Sequence, residues 1–153
     1  MTRPLTRMPP ALLDINVLIA LLDPSHQFHD LAHQWFSQNR RHGWATCPIT
    51  ENGCIRILSK PAYPATSLTP QELREVLATF AGDSHHLFWP DSVSLLDRKL
   101  FQLDGAGPKN LTDIYLLGLA QSRHGRFVTF DRTIRTSAVA DYTSGQLVVL
   151  SST

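Results

Sequence analysis

Two cysteines in 153 residues, Cys47 and Cys54, are too few to build a disulfide scaffold. Such sparse usage is read most simply as a reduced, cytoplasmic protein. No apolar run approaches the ~18 residues of a membrane span. Charge is scarce and balanced: Lys plus Arg is 14, Asp plus Glu is 13, and the net charge is +1. That balance excludes a polybasic, histone-like grip on nucleic acid but leaves room for a local basic groove. Internal repeats and low-complexity segments are absent. Arg3 and Arg7 ahead of an apolar stretch imitate a signal peptide. Asp14 and Asn16 interrupt that stretch, and no small-residue cleavage pattern follows.

What is present suits one globular domain: 42% hydrophobic and 18% charged residues on a chain of this length. Residues 1–10 read as a flexible N-terminal extension, with Met8 a second candidate start, and 11–153 as the domain. Ala11-Leu12-Leu13 is a short buried strand ended by Asp14, and Val17 to Leu22 reads as a helix. Ser25 is a candidate cap for a helix carrying Phe28, Leu31, Ala32, Trp35 and Phe36 at helical spacing, ending near Gly43. Trp44 to Cys47 reads as a strand, and Thr50-Glu51 opens a helix stopped by Pro61. Residues 61–67 are a loop. Thr69-Pro70-Gln71-Glu72 is a capping box before another helix. Leu87 to Trp89 is a third strand, and Val93 to Leu103 is helix-like. A helix opens at Thr112-Asp113 with Ile114, Leu117, Gly118 and Gln121 along one stripe. Strands follow at Arg126 to Phe130 and Leu147 to Leu150. Alternating strands and helices predict an α/β fold, its mostly parallel central sheet flanked by helices on both faces.

Four acids stand where solvated acids ordinarily do not. Asp14 follows the first strand, Glu51 lies just past the second, Asp131 follows the Phe-Val-Thr-Phe strand, and Asp113 starts a helix. An Asp after a strand is commonly a turn residue, and one at a helix start a cap. All four nevertheless fall on the carboxyl edge of a parallel sheet, where ligand crevices lie. Helix N-termini favour anions and are expected to keep Glu51 and Asp113 ionised. Clustered carboxylates repel one another unless a cation is bound or some are protonated. Oxygen-only ligation selects Mg²⁺, with Mn²⁺ a substitute, over zinc. Such a site positions phosphate and activates water for phosphodiester hydrolysis.

The strings LLDINVLIALLD, ITENGCIRILSKPAYP, LTDIYLLGLA and VTFDRTI resemble the four motif segments of PIN-domain ribonucleases, above all the VapC toxins of prokaryotic toxin–antitoxin modules. The likeness runs from Ala11 to Leu150. It implies a PIN-like three-layer fold and metal-dependent endonucleolytic cleavage of RNA in a prokaryotic cytoplasm. It also implies inhibition by a VapB-type antitoxin and a homodimer. The family's acids fall on Asp14, Glu51, Asp113 and Asp131, as catalytic and metal-holding residues. Asn16, Thr50 and Thr112 match the small polar positions that steady the acids.

Lys109, Arg132 and Arg135 flank the acidic motifs and are candidate RNA phosphate contacts, with a solvated surface the alternative. Tyr63 is a weaker candidate for stacking on a base. His26, His29 and His33 at helical spacing read as a polar helix face rather than a metal face, and His85, His86 and His124 likewise. Cys47 and Cys54 read as small buried hydrophobes. Two rival functions stand beside the nuclease. An Asp-dependent phosphatase wants a second acid where Asn16 stands and a phosphate lysine, for which Lys109 is the one weak candidate. A non-catalytic RNA- or protein-binding module has no need of a complete acidic set.

Overall fold

A computed structural model describes residues 7–63 and 67–151. Five strands form one sheet: β1 Ala11–Leu13, β2 Trp44–Thr46, β3 His86–Phe88, β4 Arg126–Thr129 and β5 Leu147–Val149. Their order is β3-β2-β1-β4-β5, and every neighbouring pair is parallel. The helices are α1 Ile15–Leu22, α2 His29–Asn39, α3 Pro48–Leu58, α4 Pro70–Phe80 and α5 Leu111–Ser122. The expected α/β architecture is therefore observed, with the sheet parallel throughout.

Strand periodicity explains the layers. Ala11, Leu13, Trp44 and Val128 point to one face and pack with α1 to α4. Leu12, Ala45 and Phe127 point to the other and pack against α5. Alternate residues of each strand face opposite ways, and β1, β2 and β4 are covered on both faces, whereas Leu87 and Phe88 of edge strand β3 are exposed. α5 is buried from Ile114 to Ala120, not along the expected single stripe, because the sheet covers one side and Phe101, Ala138 and Val139 cover another.

Several expected boundaries shift. α3 begins at Pro48 rather than Thr50, and β3 lies one residue earlier than expected. Ser25 caps no helix; its N–H donates to Asp23 Oδ1 at 2.9 Å, and α2 begins four residues later. The expected helix over Val93 to Leu103 is a series of turns. Ser94 Oγ accepts from the Leu96 N–H, and Asp97 Oδ1 accepts from those of Lys99 and Leu100. These side-chain bonds compete with a helical ladder, and Leu96, read as apolar helix, is 88% exposed. The capping box at Thr69 and Glu72 is present as expected. Of the extension expected over 1–10, residues 1–6 lie outside the described residues, as do 64–66 of the loop after α3. Pro9 and Pro10 are held by the body: the Arg126 Nε–H donates to the Pro9 carbonyl and the Arg126 N–H to that of Pro10.

Gly118 permits the closest approach on the α5 side. A Cβ there would lie 2.3 Å from the Phe101 ring, which is 3% exposed. Alanine in a helix gains up to about 1 kcal/mol over glycine, whereas overpacking a core costs about 1–3 kcal/mol. Gly118→Ala is expected to be destabilised overall, as a lower urea midpoint with an unchanged slope; an equal or higher midpoint contradicts the close packing.

Candidate active site

The carboxyl ends of β1, β2 and β4 carry the acids. Asp14 caps α1, and its Oδ1 accepts from the Ile15 N–H at 2.7 Å. Its Oδ2 accepts from Thr129 Oγ1, also at 2.7 Å. Thr129 is the fully buried last residue of β4, so this bond ties the ends of two neighbouring strands. The same Thr129 oxygen accepts from the Asp131 N–H. Asp131 Oδ1 accepts from both the N–H and the hydroxyl of Thr133, at 2.8 and 2.6 Å. Asp113 projects from the first turn of α5.

Three of these carboxylates feel one another. Burial raises Asp14 most, against the bonds from Thr129 and Ile15, and Asp131 adds to the rise. Asp113 is pushed up to about 7, chiefly by burial, then by the charge of Asp14 and by Asp131. Asp131 goes down, because Thr133 and then Asp113 donate to its charged form. The expectation that the helix N-terminus keeps Asp113 ionised is therefore corrected. A dipole worth under about 1 kcal/mol loses to burial plus two like charges.

Glu51 lies in the first turn of α3, where its Oε2 accepts from Thr46 Oγ1 at 2.7 Å. Thr46 is fully buried at the end of β2, and His86 Nε2 lies 2.8 Å from the same hydroxyl. A hydroxyl has one proton, and the Thr46 proton goes to the carboxylate, so His86 donates from Nε2. His86 is held below its ordinary value by burial, against the pull of Glu51 and Asp83. Read from sequence as a solvated polar residue, His86 instead stands behind Glu51.

Thr46, Thr129, Thr133 and His86 thus support the acids, and sequence reasoning missed all four. A buried threonine ending a strand just ahead of an acid is the signal, as in Val-Thr-Phe-Asp. Asn16 is exposed at the start of α1. Thr50 is buried, and its hydroxyl exchanges bonds with the Cys47 backbone, so it secures the start of α3 rather than touching Glu51. Thr112 is exposed beside Asp113, and Lys109 is exposed in the turn before α5. Arg132 donates to Ser151, and Arg135 lies over Gly105. Tyr63 is not free to stack on a base: its hydroxyl donates to Asp23 and its ring packs on the core. His29 and His33 bond the Ala20 and Leu21 carbonyls, at 2.7 and 3.0 Å, at the end of α1, rather than forming a solvated face. Cys47 and Cys54 are buried, and burial pushes Cys54 up to about 12.

The donor set suits a hard cation: the oxygens are carboxylate, Asp14 and Asp131 add to the rise that burial causes at Asp113, and the ion pairs among the described residues involve none of the four acids. Among the described residues, no three Asp, Glu, His or Cys side chains close on a common point tightly enough to hold an ion as they stand.

The raised Asp113 value fixes a sign. Between the ordinary Asp value of about 4 and its folded value of about 7, the folded protein binds a proton that the unfolded chain does not. Stability from this group is full below the lower value and is lost as pH rises through the upper one. In chelator near about pH 8, Asp113→Asn is expected to be at least as stable as the parent, and up to on the order of 1 kcal/mol more stable. The gap narrows as pH falls. Thermal melts across that range check this; a lower-melting variant at the upper end identifies Asp113 as a structural cap instead.

A PIN-domain family model matches residues 11–139. Ribonuclease VapC44 of Mycobacterium tuberculosis is 43% identical over 141 residues, 92% of this chain and 99% of the relative. Ribonuclease VapC39 of the same organism is 43% identical over 131 residues, covering 85% and 94%. Ribonuclease VapC38 is 39% identical over 128 residues, covering 84% and 89%. The strand-end acids and the parallel sheet thus sit inside a match that spans nearly the whole chain, which belongs to the PIN-domain family and, within it, to the VapC proteins.

Proposed function

We propose that this protein is a metal-dependent endoribonuclease, the toxin of a VapBC-type toxin–antitoxin module, hydrolysing RNA phosphodiester bonds. The observation that carries the reading is the gathering of Asp14, Asp113 and Asp131 at one sheet edge, where burial first and then the neighbouring carboxylates push Asp113 up to about 7. The relatives named ribonuclease support the same chemistry. A VapB-type antitoxin, an RNA substrate, a homodimer and a cytoplasmic setting complete the proposal. Among the described residues, no helix is long and apolar enough to cross a membrane.

Mg²⁺, with Mn²⁺ a substitute, held by carboxylate oxygens of Asp14, Asp113, Asp131 and Glu51, would neutralise phosphate charge and make water a better nucleophile. The chain's own groups prepare that site. Ile15 and Thr129 fix both oxygens of Asp14 in direction. Thr133 holds Asp131 in its charged form. Thr46, backed by His86, fixes Oε2 of Glu51 in direction. Asp113 can take up or release a proton near neutrality. The phosphatase alternative fits poorly, because an Asp14 that is 6% exposed with both oxygens engaged is a weak nucleophile.

Antitoxin-free protein is expected to cleave RNA from total cellular extracts in Mg²⁺ or Mn²⁺ and to stop in EDTA; undiminished cleavage in EDTA rejects the metal mechanism. Thr46→Val keeps shape but removes the donor to Glu51, so cleavage should fall about 10–100-fold, the usual cost of losing such support. Thr46→Ser should retain most of it. Equal activity of the two variants assigns Thr46 a packing role alone.

A further inference from the structure

A cleft of about 370 Å³ opens between the start of α1, the body of α3 and the start of α5. Ile15, Ile49 and Gly53 give it an apolar wall, while Asn52, Arg56 and Thr112 are exposed along it. Two of these residues adjoin the acids in the chain: Ile15 follows Asp14, and Thr112 precedes Asp113. The cleft lining thus includes the chain neighbours of two of the acids.

We infer that this cleft is a nucleotide subsite for the RNA strand, in which the Arg56 guanidinium takes a phosphate next to the one being cleaved. The inference rests on the ribonuclease reading and adds the surface that holds the substrate. An acidic centre repels a polyanion, so a strand reaching it needs a cation nearby that the acids have not already neutralised. Arg56 meets that need. The ion pairs among the described residues are Arg40–Asp83 and Arg74–Glu75, so Arg56 is not tied to the acids. Its planar fork matches two phosphate oxygens. Arg132 is engaged by Ser151 and Arg135 lies over Gly105, whereas Arg56 lines a cleft that can receive a nucleotide.

The rest of the lining fits the rest of a nucleotide. Asn52 stands one helical turn before Arg56, on the same face of α3. Its amide both donates and accepts, as a ribose hydroxyl or base edge requires. Ile15 and Ile49 offer apolar surface to a sugar or base face. Gly53 keeps α3 against α1: a Cβ there would lie 2.5 Å from Ile15 Cδ1. The cleft's volume lies within the range of small-ligand sites, about 300–1,000 Å³.

The test uses the full chain in EDTA, with a fluorescently labelled single-stranded RNA of mixed sequence as the binding probe, and total cellular RNA in Mg²⁺ for cleavage. Arg56→Gln is expected to weaken binding about tenfold, the usual scale for a lost charged hydrogen bond. It should also flatten the plot of log affinity against log salt by about 0.7, the value of one phosphate contact on a single strand. In cleavage, the loss should fall on the RNA concentration giving half-maximal rate more than on the rate at saturation. Arg56→Lys should lie between. Asn52→Asp sets a like charge beside the phosphate and should weaken binding even if Arg56→Gln is poorly folded. If Arg56→Gln and Asn52→Asp melt like the parent and bind with its affinity and salt slope, the subsite assignment is overturned. Failure of the parent itself to cleave in Mg²⁺ is a separate result that strikes the ribonuclease reading.

Discussion

Five parallel strands end on one edge, and that shared direction forces carboxylates from distant parts of the chain to face each other. Asp14 after β1 and Asp131 after β4 are far apart in sequence, yet one threonine oxygen, Thr129 Oγ1, serves both. The sheet leaves these acids nowhere to go. Neighbouring strands keep a fixed spacing, and Asp14 and Asp131 follow β1 and β4 too closely to swing away. Much of the local structure answers that repulsion.

The answer takes two forms. Hydroxyl and N–H donors stabilise charge where they reach: Thr129 and Ile15 at Asp14, Thr133 at Asp131, Thr46 at Glu51. Where such donors fall short, the proton itself compensates, as at Asp113. The acids are therefore unequal. One is buried and held in direction by two donors, one is kept charged, one is poised to titrate, and one is steadied through a buried threonine and histidine. A set so differentiated suits a centre that must bind positive charge and handle a proton, and it is more than a row of turn residues requires.

Rigidity behind the edge comes from burial of both sheet faces. Leu12 and Phe127 pack toward α5, while Leu13 and Val128 pack toward α1 to α4. A strand gripped from both sides holds its last residue still, and in β4 that residue orients an acid. At the opposite, amino edge, buried Arg126 anchors Pro9 and lies 5.8 Å from the Trp35 ring centre. The Arg126 charge thus lies at the far end of β4 from the carboxylates.

The sequence by itself determined the strand–helix alternation, the parallel sheet and the positions of Asp14, Glu51, Asp113 and Asp131 at strand or helix ends. These are local matters: an apolar run ends where a polar residue enters, and caps announce helices. Element limits were less legible. The Ser94 and Asp97 turns look helical in pattern, because apolar spacing says nothing about side chains that bond their own backbone. Only the tertiary structure decided that Asp113 rises toward neutrality, since burial and the charges of Asp14 and Asp131 reach it from other elements. It alone linked His86 on β3 through Thr46 on β2 to Glu51 on α3. It alone set Arg56 beside the start of α5, 55 or more positions along the chain, in a cleft whose lining includes the chain neighbours of Asp14 and Asp113. Desolvation, Coulomb repulsion and hydrogen bonding act across ångströms of space, and separation along the sequence does not measure that distance.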